Sequence, residues 1–106
     1  MRRVLPALEI IRRHLNRAIP IEELASACHL SAPQFRRVFG RAMDASPNEY
    51  IRRRRMEEAA LLLRRTEDTI ESVAQRVGYS DPSFFAHSFK ATMGASPGKY
   101  RTLSAV

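Results

Sequence analysis

Apolar residues recur at helical spacing along almost the whole chain, and the stretches between these runs are short and polar. Val4, Leu8, Ile11 and Leu15 are spaced four, three and four apart. This stripe predicts a first helix from about Val4 to Arg17, with Arg12, Arg13 and Arg17 off it. Pro20 marks the start of a second helix, on which Ile21, Leu24, Ala25 and Cys28 share a face and Glu22 and Glu23 suit the positive end of the dipole. Ser31 followed three residues later by Gln34 predicts a capping box, opening a third helix with Phe35, Val38, Phe39, Ala42 and Met43 inward. Ser46, Pro47 and Glu49 repeat that signal and open the longest helix, about Pro47 to Arg65, with Ile51, Ala59, Leu62 and Leu63 on its inner face. A second set begins at Thr69. It comprises a short helix from Ile70 to Val77, a left-handed stop at Gly78, and a helix capped by Asp81 before Pro82 that turns Phe85, Phe89 and Met93 inward. Gly94 closes that helix, and Ser96 with Pro97 starts a last short one through Tyr100.

The two sets are copies of one unit. Phe35, Phe39, Met43, Ser46, Pro47 and Tyr50 recur fifty positions later as Phe85, Phe89, Met93, Ser96, Pro97 and Tyr100. Upstream, Ile21, Leu24, Ala25 and Cys28 match Ile70, Val73, Ala74 and Val77 at a shift of forty-nine, so the second copy carries one extra residue in its turn. A short helix, a tight turn and a longer helix form the outline of a helix-turn-helix. The long helix between the copies sets their separation. About 19 residues at about 1.5 Å each give roughly 28 Å, of the order of the roughly 34 Å between major-groove entries one turn apart.

Composition narrows the partners. A chain of 106 residues suits one domain, or two very small ones sharing an element, and 44% hydrophobic residues suffice for a core. Lys and Arg number 18 against 11 Asp and Glu, and the net charge of +7 favours a polyanion. A single cysteine excludes an intramolecular disulfide framework and is compatible with a reducing cytoplasm. No apolar run approaches the roughly 20 residues of a membrane span, and Met1 to Pro6 lack the apolar stretch of a secretory signal. A soluble, cytoplasmic protein is expected by default.

Catalytic and metal-binding signals are missing from the pattern. Cys28 stands where the second copy has Val77, as a small core residue would. His14, His29 and His87 show no ligand spacing with each other or with acidic residues. No Ser-His-Asp arrangement, glycine-rich phosphate loop or buried carboxylate pair can be argued, so no enzyme activity, metal or cofactor is expected.

The segment Ile70-Glu71-Ser72-Val73-Ala74-Gln75-Arg76-Val77-Gly78-Tyr79-Ser80-Asp81-Pro82-Ser83-Phe84-Phe85, followed by Phe89-Lys90 and Gly94-Ala95-Ser96-Pro97-Gly98-Lys99-Tyr100-Arg101, resembles the signature of AraC-type bacterial transcription regulators, the AraC/XylS family. The first motif, from Ile21-Glu22-Glu23-Leu24-Ala25 through Ser31 and Phe39 to Tyr50, is similar to that family's more variable copy. The resemblance covers nearly the whole chain. It implies an all-α domain of seven helices, with helix-turn-helix subdomains at residues 1–45 and 67–106 joined by a linking helix at 46–66. It further implies an activator that offers one recognition helix to each of two successive major grooves. Two heads in one chain let a monomer bind an asymmetric site.

Base-reading candidates follow from helix geometry. Phe35, Val38 and Phe39 point inward, so Pro33, Gln34, Arg36 and Arg37 point outward. Arg can bridge guanine O6 and N7, and Gln can pair with adenine N6 and N7. The same positions of the second copy hold Ser83, Ala86 and His87, with Pro82 at the tip. The resemblance implies that all eight approach bases, although Ala86 and His87 depart from the polar residue and arginine common there. They suggest methyl contact with thymine and a pH-dependent contact in place of strong direct readout. Arg41, Lys90, Lys99 and Arg101, with the backbone amides near Ile21 and Ile70, are assigned to phosphates. The run from Arg52 to Arg55 lies within a helix and points in four directions, and Arg55 is expected to be partly buried and paired. Double-stranded DNA is the expected partner, with no membrane and no small-molecule ligand in this segment. The rival reading is a basic helical module whose outward faces bind protein, such as RNA polymerase.

Overall fold

The computed structural model describes residues 2–105; the outer limits expected for the two subdomains, residues 1 and 106, lie outside them. The described residues form seven α-helices and no strand. After a single 3-10 turn at Arg2–Val4 come α1 (Leu5–Arg13), α2 (Ile21–Ala27), α3 (Ala32–Met43) and α4 (Pro47–Arg65). They are followed by α5 (Ile70–Arg76), α6 (Pro82–Met93) and α7 (Pro97–Ser104). One compact unit ends at Arg52 and another begins at Arg53, so α4 contributes residues to both.

In the first unit, Val4, Ala7 and Ile11 of the N-terminal segment pack with Leu24 and Ala25 of α2, Phe35 and Phe39 of α3, and Ile51 of α4. In the second, Val73, Ala74, Phe85 and Phe89 take the corresponding places, and Met56, Ala59, Ala60, Leu62 and Leu63 of α4 complete the core. The sequence repeat is therefore a packing repeat. The rings of Phe35 and Phe39 are 5.4 Å apart at 46°, and those of Phe85 and Phe89 are 5.8 Å apart at 47°. Each second phenylalanine then meets a tyrosine edge to face, Tyr50 at 5.5 Å and 76° and Tyr100 at 5.3 Å and 78°. T-shaped pairs of this kind favour the ring quadrupoles and add about 0.5 to 1.5 kcal/mol each to the burial of the rings.

Three elements differ from expectation. The first helix stops at Arg13, where the His14 amide bonds the Ile10 and Ile11 carbonyls at 3.0 and 3.3 Å. The apolar period runs past this end because Leu15 still packs on the core. Arg17, expected to ride on that helix, instead pairs with Glu23 of α2 at 2.7 Å. Pro20 does mark the start of α2, from the cap position with extended backbone (ψ 142°), whereas α5 ends one residue early, at Arg76, with Val77 as its C-cap. Finally, α7 continues beyond Tyr100 to Ser104, where the Thr102 hydroxyl bonds the Gly98 carbonyl.

Candidate nucleic-acid interface

Each unit ends its short helix in the same turn, and that turn aims the longer helix. After α2, the Leu30 amide bonds the Ala25 carbonyl at 2.9 Å and the His29 amide bonds Ser26 at 3.0 Å. After α5, Tyr79 bonds Ala74 at 2.9 Å and Gly78 bonds Gln75 at 3.1 Å. This paired closure needs one residue in the left-handed region. Gly78 supplies it at φ 92°, as expected, whereas the first unit forces His29 to φ 59°. The additional residue of the second copy is Ser80, between the closed turn and the cap of α6.

The two longer helices start differently. On α3 the capping box is complete: Ser31 Oγ accepts from the Gln34 amide at 3.3 Å, and Gln34 Oε1 accepts from the Ser31 amide at 3.1 Å. With Oε1 so engaged, the two-bond pairing with adenine expected of Gln34 would require breaking the cap. On α6 the Asp81 carboxylate alone accepts from both Ser83 and Phe84, at 2.9 and 3.4 Å.

The outward faces carry the expected residues. Pro33, Gln34, Arg36 and Arg37 are exposed on α3, and Pro82, Ser83 and His87 on α6, while Ala86 is half-buried at the flank. Phe84 was not anticipated there: it is 60% exposed beside Ser83, although Phe85 and Phe89 are fully buried. Its signal in the sequence was an aromatic residue out of step with the inward period.

Ion pairing sorts the basic residues into two groups. Arg12 and Arg13 both pair with Glu9, Arg17 with Glu23, Arg54 with Glu57 and Arg76 with Asp68. Hydrogen bonds from Arg12 and then Arg13 hold the Glu9 carboxyl down to about 2, and the bond from Arg17 lowers that of Glu23. These acids stay ionised at neutral pH and offset their arginines. By contrast, among the described residues the side chains of Arg36, Arg37, Arg41, Lys90 and Lys99 are exposed and enter no hydrogen bond or ion pair. Arg52 and Arg53 are exposed as well.

Arg101 is placed differently. Its Nε donates to the Leu63 carbonyl at 3.0 Å and its Nη2 to that of Thr66 at 3.2 Å. It thus satisfies the C-terminal end of α4, where a cation is favoured by the helix dipole. Those two bonds commit Nε and Nη2 to the protein, so only Nη1 is left for the phosphate role expected of Arg101. Arg55 is half-buried over the Tyr79 ring at 6.0 Å, and burial lowers the pKa of its guanidinium. Ile21 and Ile70 open α2 and α5 half-buried; Thr69 caps Ser72 at 3.0 Å, and α2 has no side-chain cap.

Among the described residues no group of His, Cys, Asp or Glu could hold a metal ion, and no helix is long and apolar enough to cross a membrane.

Known proteins share this sequence pattern and this fold. A family model described as a helix-turn-helix domain matches residues 24–102. The probable transcriptional regulator LumQ of Photobacterium leiognathi is 33% identical over 91 residues, covering 86% of this chain and 37% of LumQ. The chain therefore spans little more than a third of that relative. The C-terminal domain of AraT, a response regulator from Geobacillus stearothermophilus, matches with a TM-score of 0.91 at 32% identity, over 97% of this chain and 86% of that one. The DNA-binding domain of AdpA, a global transcriptional factor solved in complex with a target DNA, matches with a TM-score of 0.84 at 27% identity, over 92% and 91% of the two chains.

Proposed function

The chain belongs to the AraC-type helix-turn-helix family, and from that membership we propose that it is a sequence-specific DNA-binding module of a transcription activator, with α3 and α6 as its two recognition helices. The carrying observation is the unpaired outward charge of α3. Arg36 and Arg37 stand exposed on a helix fixed from behind by Phe35 and Phe39, while the arginines of α1 are held by Glu9. An arginine held on a rigid helix with its donors open is suited to guanine O6 and N7.

In this reading Pro33, Gln34, Arg36 and Arg37 face bases in one major groove, and Pro82, Ser83, Ala86 and His87 face bases in the next. Gln34 offers its Nε2 donor while Oε1 stays in the cap. Arg41, Lys90 and Lys99 neutralise phosphates, aided by the backbone amides at Ile21 and Ile70. The two units form subdomains joined through α4, a monomer suffices for one site, and the module acts in the cytoplasm on DNA without catalysing a reaction.

The test is titration against duplexes at two salt concentrations. Affinity that falls with added salt and favours one sequence supports the reading. Absence of binding at low salt overturns it in favour of a protein-docking module, with polymerase as the first partner to try.

A further inference from the structure

We infer that Phe84 is a base-reading residue of α6, and that its ring packs against the C5-methyl group of a thymine in the major groove. This rests on the DNA-reading function proposed above and adds a residue and a base to it.

Phe84 occupies the third position of α6, in the first turn, and N-terminal residues of a recognition helix are those that meet base edges. His87 lies three positions further on, which places the two about 60° apart around the helix at about 3.6 residues per turn. Both are exposed, on the side away from Phe85 and Phe89.

The two copies differ at this position for a reason visible in their caps. Gln34, the equivalent on α3, is committed to the capping box through Oε1. On α6 Asp81 takes two amides by itself, so the third position has no capping duty. It carries a large apolar side chain that remains 60% exposed.

The ring is also braced. Tyr79 lies 5.8 Å from it at 48°, and Tyr79 is in turn packed on buried Phe85 at 5.5 Å and faced by Arg55 at 6.0 Å. A ring supported on one side and open on the other is held ready for a partner of matching chemistry. A phenyl group has no donor or acceptor, and the one apolar group that a base displays in the major groove is the thymine methyl.

The probes are duplexes selected by this chain from a random pool, with each thymine in turn replaced by deoxyuracil, which removes only that methyl. For the unmodified chain, one replacement within the half-site of α6 weakens binding about fourfold, as expected for losing one buried methyl contact. In Phe84→Ala, whose folding is checked by circular dichroism and urea denaturation, that same replacement has no effect. If no thymine shows the penalty, or Phe84→Ala retains it, the assignment to Phe84 falls while the DNA-reading function stands. If the pool yields no preferred duplex, that function falls and the role of Phe84 with it.

Discussion

Single side chains divide into those that hold the fold and those left open to a partner, and substitutions separate them. Arg37 is exposed at the centre of the outward face of α3, away from Phe35 and Phe39. Arg37→Ala is expected to cost about 1 to 3 kcal/mol on the preferred duplex and to relax preference at one base position. Competition binding against a set of single-base variants checks this, and equal weakening on every sequence would refute the assignment. Lys90→Ala should instead weaken binding evenly across sequences and lower the salt slope by about one. His29 offers a test of stability alone. It holds a left-handed conformation that Gly78 adopts without strain, so His29→Gly should stabilise the first unit by roughly 0.5 to 1 kcal/mol in urea denaturation. Destabilisation would show that the imidazole has contacts outweighing its backbone strain.

The helices are set by their ends more than by their interiors. Asp81 satisfies two amides at the start of α6, so Asp81→Ala should lower stability by about 1 to 2 kcal/mol in the same assay, with a smaller loss for Thr69→Ala at α5. Cap signals are local in sequence, which is why Ser31, Ser46, Asp81 and Ser96 could be placed at helix starts from residue types alone and are found there. Periodicity was a poorer guide to where helices end. Leu15 continued the stripe because it touches the core, yet the backbone had already left the helix. The site was legible only in part for a similar reason. Which residues face outward follows from a period, but what each outward side chain already bonds depends on distant neighbours. Nothing near Arg101 in sequence announces that Leu63 and Thr66 would occupy it, and nothing near Tyr79, on which the Phe84 ring rests, announces that Arg55 would face it.

At the scale of the molecule, the repeated aromatic triplet implies two units built on one plan, each keeping its longer helix rigid enough to present a fixed set of side chains. The units do not present the same outward side chains. The first offers exposed Arg36 and Arg37, whereas the second offers Ser83, His87 and an apolar ring. Guanine contacts should therefore concentrate in one half of a binding site and thymine contacts in the other. The most direct measurement of whether both units read DNA is base-modification interference mapped along a duplex selected from a random pool. Two clusters of sensitive bases are expected on one face, about 10 to 10.5 base pairs apart, the first weakened by Arg37→Ala and the second by Phe84→Ala. A single cluster, unaffected by one of these substitutions, would contradict the account.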